Sequence, residues 1–449
     1  MAKLTRRRAI PRTTRESAMT ADTLLDTVLE LAGMSDDNLP ERSLGMARLS
    51  LFDWLACGRA GINEPVAQTL RDLAEAEGGL GAASIFGGVR APARMAALAN
   101  GAASHALDYD DTHFAHVGHL SVGIYPAVIA AAEEVGADLD EVLAAFLLGA
   151  EAAIRIGVVL GASHYNRGFH QTATAGAFGA TVAAGRLYGL REGQMRAALG
   201  LCATRASGLK SQFGTMGKPY NAGVAAANGV ECAKLAGMGM TSAADGLMGL
   251  QGFVPTHTDV RGPTIPAGTF LFDDVKYKFH ACCHGTHAML EALAESGATD
   301  ETVAVLKLRT NPRWLRVCNI ETPQTGLEVK FSYRWLAGMA LTGRPTGSDR
   351  EYTDDLAQDG ALAALAERVQ VTGDDSVGDM QAVVTLVAPD GSSRDWSHDL
   401  DSPQTLDTLE SKLRAKVEAL LGDEAQPLSR VLTEPLRASD LGHMLRTGE

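Results

Sequence analysis

The chain has 449 residues, enough for two domains of ordinary size or for one large domain with an elaboration. Its 54 acidic residues outnumber 40 basic ones, and the resulting net charge of −14 repels polyanions and speaks against a nucleic-acid partner. Six cysteines (Cys57, Cys202, Cys232, Cys282, Cys283, Cys318) scattered over so long a chain favour reduced thiols in a cytoplasmic protein over a disulfide framework.

The N-terminal stretch MAKLTRRRAIPRTTRES is basic and is followed by no apolar run, which fits a disordered tail over residues 1–19 and neither a signal peptide nor an export signal. From about Thr20 to Leu250 apolar residues recur at three and four, a helical texture punctuated by turns at Gly78-Gly79 and Gly87-Gly88. The most apolar run, 142–160, is interrupted by Glu151 and Arg155, an i,i+4 pair expected of a helix in a soluble protein, so no membrane span is predicted. Two helices, 170–188 and 221–238, are built mainly of Ala, Gly and Thr. Small residues repeat every four positions (Gly176, Ala180, Ala184; Gly223, Ala227), which places both in the middle of a tight bundle.

After about residue 270 β-branched runs appear. The pattern predicts a strand at 303–310, helices at 331–342 and 358–368, and a hairpin over 380–400 turning at Pro389-Asp390-Gly391. A last helix runs from about Pro403 to Leu421 behind the N-cap candidate Ser402 and returns to the helical texture. The fold class expected is mainly α. A large all-helical domain (20–268 plus 402–449) carries a smaller inserted α+β lid domain (269–401).

The segment ALDYDDTHFAHVGHLS (106–121) packs Asp108, Asp110, Asp111, Thr112, His113, His116 and His119 into one stretch. Titratable groups cost stability when drawn out of water, so such a run points to proton transfer or metal binding. His170, at the start of the first small-residue helix, meets free backbone N–H groups and the helix dipole, which disfavour imidazolium and keep the ring available as a base. Lys218 stands in a Gly-rich loop before the second small-residue helix. The glycine spacing around it is wrong for a phosphate loop and Pro219 occupies the place of a magnesium-binding hydroxyl, which leaves a lysine able to grip a carboxylate or protonate a leaving group. KFHACCHGTHAML (278–290) and VKFSYRW (329–335) add His284, His287, Ser332 and Trp335 at the entrance to the second domain. A metal could draw on His113, His116, His119, Asp110, Cys282, Cys283 and His287, but the spacings give poor helical-face geometry and no HExxH or CxxC signature is present, so the reading is a site without metal. A metal-dependent hydrolase is the alternative from another class.

The segments LDYDDTH with GHLS, GFHQTATAGAFGA, FGTMGKPYNAGVAAANG, KFHACCHGTHA and KFSYRW resemble, in order, the characteristic blocks of the MmgE/PrpD family. That family includes 2-methylcitrate dehydratase, cis-aconitate decarboxylase and iminodisuccinate epimerase. The resemblance implies a homodimer and cofactor-free, metal-independent chemistry on a small di- or tricarboxylate, through a carbanion next to a carboxylate. It carries active-site roles onto Asp108, Thr112, His119, His170 and Lys218, with a lid-side histidine at His284 or His287. The expected roles are His170 as base, Lys218 as carboxylate ligand, Asp108 orienting a histidine, His119 neutralising charge and Thr112 orienting a carboxylate oxygen. Two departures favour an epimerase as the alternative to a dehydratase or decarboxylase. The loop from Thr112 to His119 is longer than in the decarboxylase branch, and Trp335 stands where the lyase branches place a tyrosine.

Overall fold

The computed structural model describes residues 23–448, so the tail expected at residues 1–19 lies outside the described part. The helical body is built from α1 (Leu24–Gly33), α2 (Glu41–Ala60), α3 (Pro65–Glu77), α4 (Ala93–Ser104), α5 (Ser121–Val135), α6 (Leu139–Asn166), α7 (Gln171–Leu187), α8 (Glu192–Arg205) and α9 (Gly217–Gly237). A two-residue antiparallel pair, β1 (Ala83–Ser84) with β2 (Arg90–Ala91), is folded into it. α7 and α9 are the two small-residue helices, and α7 is buried from Gln171 to Gly185. Their closeness rests on glycine. A Cβ at Gly223 would lie 2.2 Å from the Leu98 carbonyl oxygen of α4, and one at Gly229 would lie 2.5 Å from Ala180 Cβ of α7. On α7 the tight position is Gly179, 2.6 Å from the Gly149 oxygen of α6, whereas a Cβ at Gly176 would meet only Ala225 Cβ at 3.9 Å.

α6 is long and apolar enough to cross a membrane, but 94% of its apolar window is buried inside the protein, as befits a core helix. Glu151 and Arg155, the i,i+4 pair that interrupts its apolar run, are both fully buried and ion-paired. Arg155 donates to the carbonyls of Ile265 (3.0 Å) and Pro266 (2.6 Å), and Glu151 accepts from the backbone N–H groups of Leu271 and Phe272 at 2.7 Å each. A buried pair is tolerated when its remaining hydrogen-bonding capacity is filled, and here the connector into the second unit fills it.

The second unit contains α10 (His287–Ser296), α11 (Tyr333–Leu341) and α12 (Gly360–Ala366) around β3 (Val305–Thr310), β4 (Val369–Gly373), β5 (Gln381–Val387) and β6 (Ser393–Asp399). The strands run in the order β4-β3-β5-β6, with β3 parallel to β4 and antiparallel to β5, and β5 antiparallel to β6. Leu306, Leu308, Ala382 and Val384 alternate into the core, as period-two patterning requires. The expected hairpin turn is present, closed by Ala388 N–H on the Ser392 carbonyl at 2.8 Å with Gly391 at φ 85°. The last long helix, α13 (Leu406–Leu421), is capped by Thr405 and not by Ser402, the Thr405 hydroxyl accepting from Thr408 N–H at 3.2 Å. It returns to the helical body as expected, with Leu406 lying over Gly45 of α2.

Gly223→Ala is expected to lower the free energy of unfolding by about 1–3 kcal/mol, the usual cost of overpacking, as read by chemical denaturation. Gly193→Ala in α8, where a Cβ meets nothing within 4 Å among the described residues, is expected to leave stability unchanged or raise it.

Candidate active site

The chain leaving α4 loops through residues 105–120 before entering α5, and the three acids of that loop have three different jobs. Asp111 is structural. It accepts from the Ser121 hydroxyl (2.5 Å) and the Ser121 N–H (3.1 Å), closing the start of α5. Asp110 is fully buried between two imidazoles, Oδ1 lying 2.7 Å from His105 Nδ1 and Oδ2 lying 2.8 Å from His119 Nδ1. Burial pushes the Asp110 carboxyl up, but the two histidines outweigh it and hold the group well below the usual carboxylate range.

Asp108 adopts φ 52°, uncommon for a residue with a side chain. Its carboxylate lies 2.6 Å from Lys218 Nζ, 3.4 Å from Lys278 Nζ and 3.6 Å from His119 Nε2, and its side chain keeps 48% exposure. Burial would raise this carboxyl too, but Lys278 and Lys218 together drive it far below its ordinary value. Lys278 also donates to the Asp108 carbonyl at 2.5 Å. Burial works against its ammonium, while Asp108 and Asp110 more than compensate and raise its pKa.

Lys218 belongs to the first turn of α9, which begins at Gly217, so it is a helical residue and not a loop residue as expected. His170 is the N-cap residue of α7, as expected, and is buried. The Asn221 amide donates to His170 Nδ1 at 3.2 Å and to the Leu209 carbonyl at 3.2 Å. A donor at Nδ1 places the proton of the neutral ring on Nε2, so His170 presents an N–H group. Burial first, then the neighbouring His105 and His119, push the His170 pKa down to about 2, a different cause from the helix dipole expected. The His105 ring bridges the group, 4.5 Å from His119 and 6.3 Å from His170. The His119 N–H donates to the Thr172 hydroxyl at 2.9 Å, tying this loop to α7.

From the second unit, Thr112 and Lys276 exchange two backbone hydrogen bonds at 2.8 Å, which brings Lys278 and His284 against the loop. Thr112 Oγ1 and His284 Nδ1 are buried polar atoms with no hydrogen-bond partner among the described residues. Burial and the nearby Lys278 lower the His284 pKa to about 3. His287 stacks on His284 at 5.0 Å and lies one layer further back, its Nε2 3.4 Å from the Cys282 carbonyl. Ser332 caps α11 by accepting from Trp335 N–H at 3.4 Å, and Trp335 is buried in that first turn. Among the described residues neither has a hydrogen bond or ion pair to the group around Asp108.

The histidine run does not converge on a metal. His113 Nε2 lies 2.9 Å from the Leu271 carbonyl and His116 Nδ1 3.2 Å from the Ala153 carbonyl, both packing roles, so only His119 reaches the site. A different set, His105, Asp108, Asp110 and His119, has ligand atoms within 4.8 Å of one another and is the place where an ion would sit. The ammoniums of Lys218 and Lys278 already occupy the Asp108 oxygens and repel a cation there. The donor set thus suits an anion better than a metal.

Sequence reasoning missed His105, Lys278 and Asn221. His105 stands one position before the segment singled out, and Lys278 opens the KFHACCH block that was read for its histidines and cysteines. Two cavities of about 690 and 610 Å³ near Arg48, Asp138 and Asp140 are lined by none of the site residues.

His116 gives a pH test away from the chemistry. Burial lowers its pKa to about 3, against about 6.5 in an unfolded chain, so below 6.5 the unfolded state binds a proton that the fold refuses. The stability this neutral ring supports is present at neutral pH and is lost as pH falls from 6.5 towards 3. Between pH 6 and pH 5 the parent is expected to lose roughly 1 kcal/mol more unfolding free energy than His116→Asn, measured by urea titration. An equal loss in both would contradict the assignment.

The MmgE/PrpD N-terminal domain matches residues 31–265 and the MmgE/PrpD C-terminal domain matches residues 280–434. A cis-aconitate decarboxylase of Aspergillus terreus is 30% identical over 283 residues, 58% of this chain and 57% of the relative. The cis-aconitate decarboxylase of Homo sapiens is 27% identical over 277 residues, again 58% and 57%. A mitochondrial 2-methylcitrate dehydratase of Yarrowia lipolytica is 27% identical over 119 residues, 24% of this chain and 22% of the relative. The chain thus spans under two thirds of the length of these curated relatives. Both domains match in chain order, the N-terminal one over the stretch that carries Asp108, His119, His170 and Lys218, and the chain belongs to the MmgE/PrpD family.

Proposed function

We propose that this protein is a lyase acting on a small di- or tricarboxylate through a carbanion next to a carboxylate, by proton transfer among side chains and with no cofactor. The observation that carries the reading is the convergence of the Lys218 and Lys278 ammoniums on Asp108, beside a histidine seated on the buried Asp110. The relatives named for cis-aconitate decarboxylation and 2-methylcitrate dehydration support the substrate class.

Negative charge that develops on a substrate carboxylate needs cations already in place, since otherwise solvent must reorganise around it. Lys218 and Lys278 supply them. Thr112 Oγ1, His284 Nδ1 and the His170 Nε2–H group are donors suited to the remaining oxygens. His119 carries the proton, with Asp110 at Nδ1 orienting the ring and Nε2 turned towards Asp108, the arrangement of a histidine–carboxylate pair. His170, expected from the sequence to be the base, takes the role of donor because Asn221 fills its Nδ1 lone pair. In a dehydration, His119 removes the proton from the carbon next to the carboxylate and the hydroxyl departs as water with a proton from Lys218. In a decarboxylation the carbon–carbon bond breaks, carbon dioxide leaves, and protonated His119 delivers its proton to the carbanion. The same proton removal and return without loss of a group is an epimerisation. That second reading is favoured by the buried Trp335, whose Nε1 has no hydrogen-bond partner among the described residues, at the position expected to hold a tyrosine.

A polycarboxylate that binds is expected to raise the melting temperature of the parent, because it stabilises the folded form alone. Lys218→Ala is expected to weaken its affinity by about tenfold or more, the size of one charged hydrogen bond. For His119→Asn the expectation is a kcat lower by about 100-fold to 10,000-fold with little change in KM. Turnover in deuterium oxide separates the two readings, since a lyase forms an alkene or carbon dioxide whereas an epimerase returns labelled substrate alone. Near-parental turnover in both variants contradicts the site.

A further inference from the structure

The loop carrying Asp108 and Asp110 is held from a direction the chemistry does not use. Lys416 projects from α13 with its side chain fully buried, 2.5 Å from Asp53 Oδ1 of α2, itself 1% exposed. Its ammonium donates to the Tyr109 carbonyl at 2.7 Å and lies 4.1 Å from the centre of the Tyr109 ring. Tyr109 is the residue between the two working acids, and its hydroxyl donates to the Gly347 carbonyl of the second unit at 3.0 Å. The carbonyls of Asp108 and Tyr109 are therefore each taken by a buried lysine, Lys278 and Lys416. An apolar pair of the same bulk would serve packing as well as a buried ion pair does, or better. What an apolar pair cannot do is hold a carbonyl at a fixed place beside a strained backbone, and the Asp108 backbone stands at φ 52°.

We propose that Lys416 is a positioning residue: seated on Asp53, it fixes the Tyr109 carbonyl and thereby sets the carboxylates of Asp108 and Asp110 against Lys218 and His119. Its effect on turnover rests on the lyase reading above, whereas its effect on geometry does not. α13 thus reaches the site without touching substrate, and a displacement of about 1 Å there is enough to cost about 100-fold in rate.

The test replaces the pair by apolar residues, Lys416→Met with Asp53→Leu, in the full chain. The melting temperature and polycarboxylate affinity are expected to stay near the parent's, the affinity within about threefold, while kcat falls by about 100-fold. A folded double variant with kcat within threefold of the parent overturns the proposal. Should the double variant not fold, Lys416→Arg keeps the charge but changes its reach, and kcat is expected to fall by about tenfold or more with KM unchanged; parental kcat again overturns it. If the parent itself turns over no polycarboxylate, the lyase reading fails and the crystal structure of the variant decides this one. A widened Lys218–Asp108 or His119–Asp110 contact supports positioning, and contacts unmoved from 2.6 and 2.8 Å refute it.

Discussion

The pairing of every acid in the 108–111 loop, half-exposed Asp108 and buried Asp110 and Asp111 alike, with a cation, an imidazole or a helix start is the constraint on which the rest of this structure depends. A carboxylate taken out of water alone takes up a proton and ceases to be an anion. Here Asp108 is met by Lys218 and Lys278, Asp110 by His105 and His119, and Asp111 by Ser121 at the start of α5. Behind them Asp53 is met by Lys416, although burial still lifts its carboxyl to about 6. Removing Lys416 leaves Asp53 buried and uncompensated, which costs more than the pair contributes. The loop therefore has little freedom to be anything except a fixed array of alternating charge.

The groups around the loop come from the ends of several elements, and the packing of the helical body decides how those ends meet. His105 follows α4, His170 precedes α7, and Lys218 and Asn221 lie in the opening turns of α9. Glycines at 223 and 229 draw α9 onto α4 and α7, which brings Asn221 within 3.2 Å of His170 and fixes the tautomer of that ring. The Glu151–Arg155 pair does a similar job at longer range. It gathers the backbone from Ile265 to Phe272, from which the chain proceeds to Lys276 and Lys278.

Much of this was legible in the sequence because it depends on local pattern. Helical periodicity, the Ala/Gly texture of α7 and α9 and the Pro389-Asp390-Gly391 turn each depend on residues near one another in the chain. The blocks around Asp108, His119, His170 and Lys218 stood out for their density of titratable groups, and the structure gathers all four residues. What stayed hidden depends on contacts between distant residues. Nothing local says that His113 and His116 are spoken for by the carbonyls of Leu271 and Ala153 while His119 faces Asp108 and Asp110. Nor does the text around Lys278 or Lys416 separate a buried ammonium from a solvated one, and His105 closes a helix that reads as ordinary core. The burial of Glu151 and Arg155 stayed hidden for the same reason, since an i,i+4 pair looks alike on a wet face and in a dry interior.

The most direct measurement is a crystal structure with a bound di- or tricarboxylate. The account requires substrate carboxylate oxygens within hydrogen-bonding distance of Lys218 Nζ and Lys278 Nζ, with His119 Nε2 facing the carbon that exchanges its proton. A ligand seated instead in the cavity beside Arg48 and Asp138, or a transition metal held by His105, Asp108, Asp110 and His119, would contradict it.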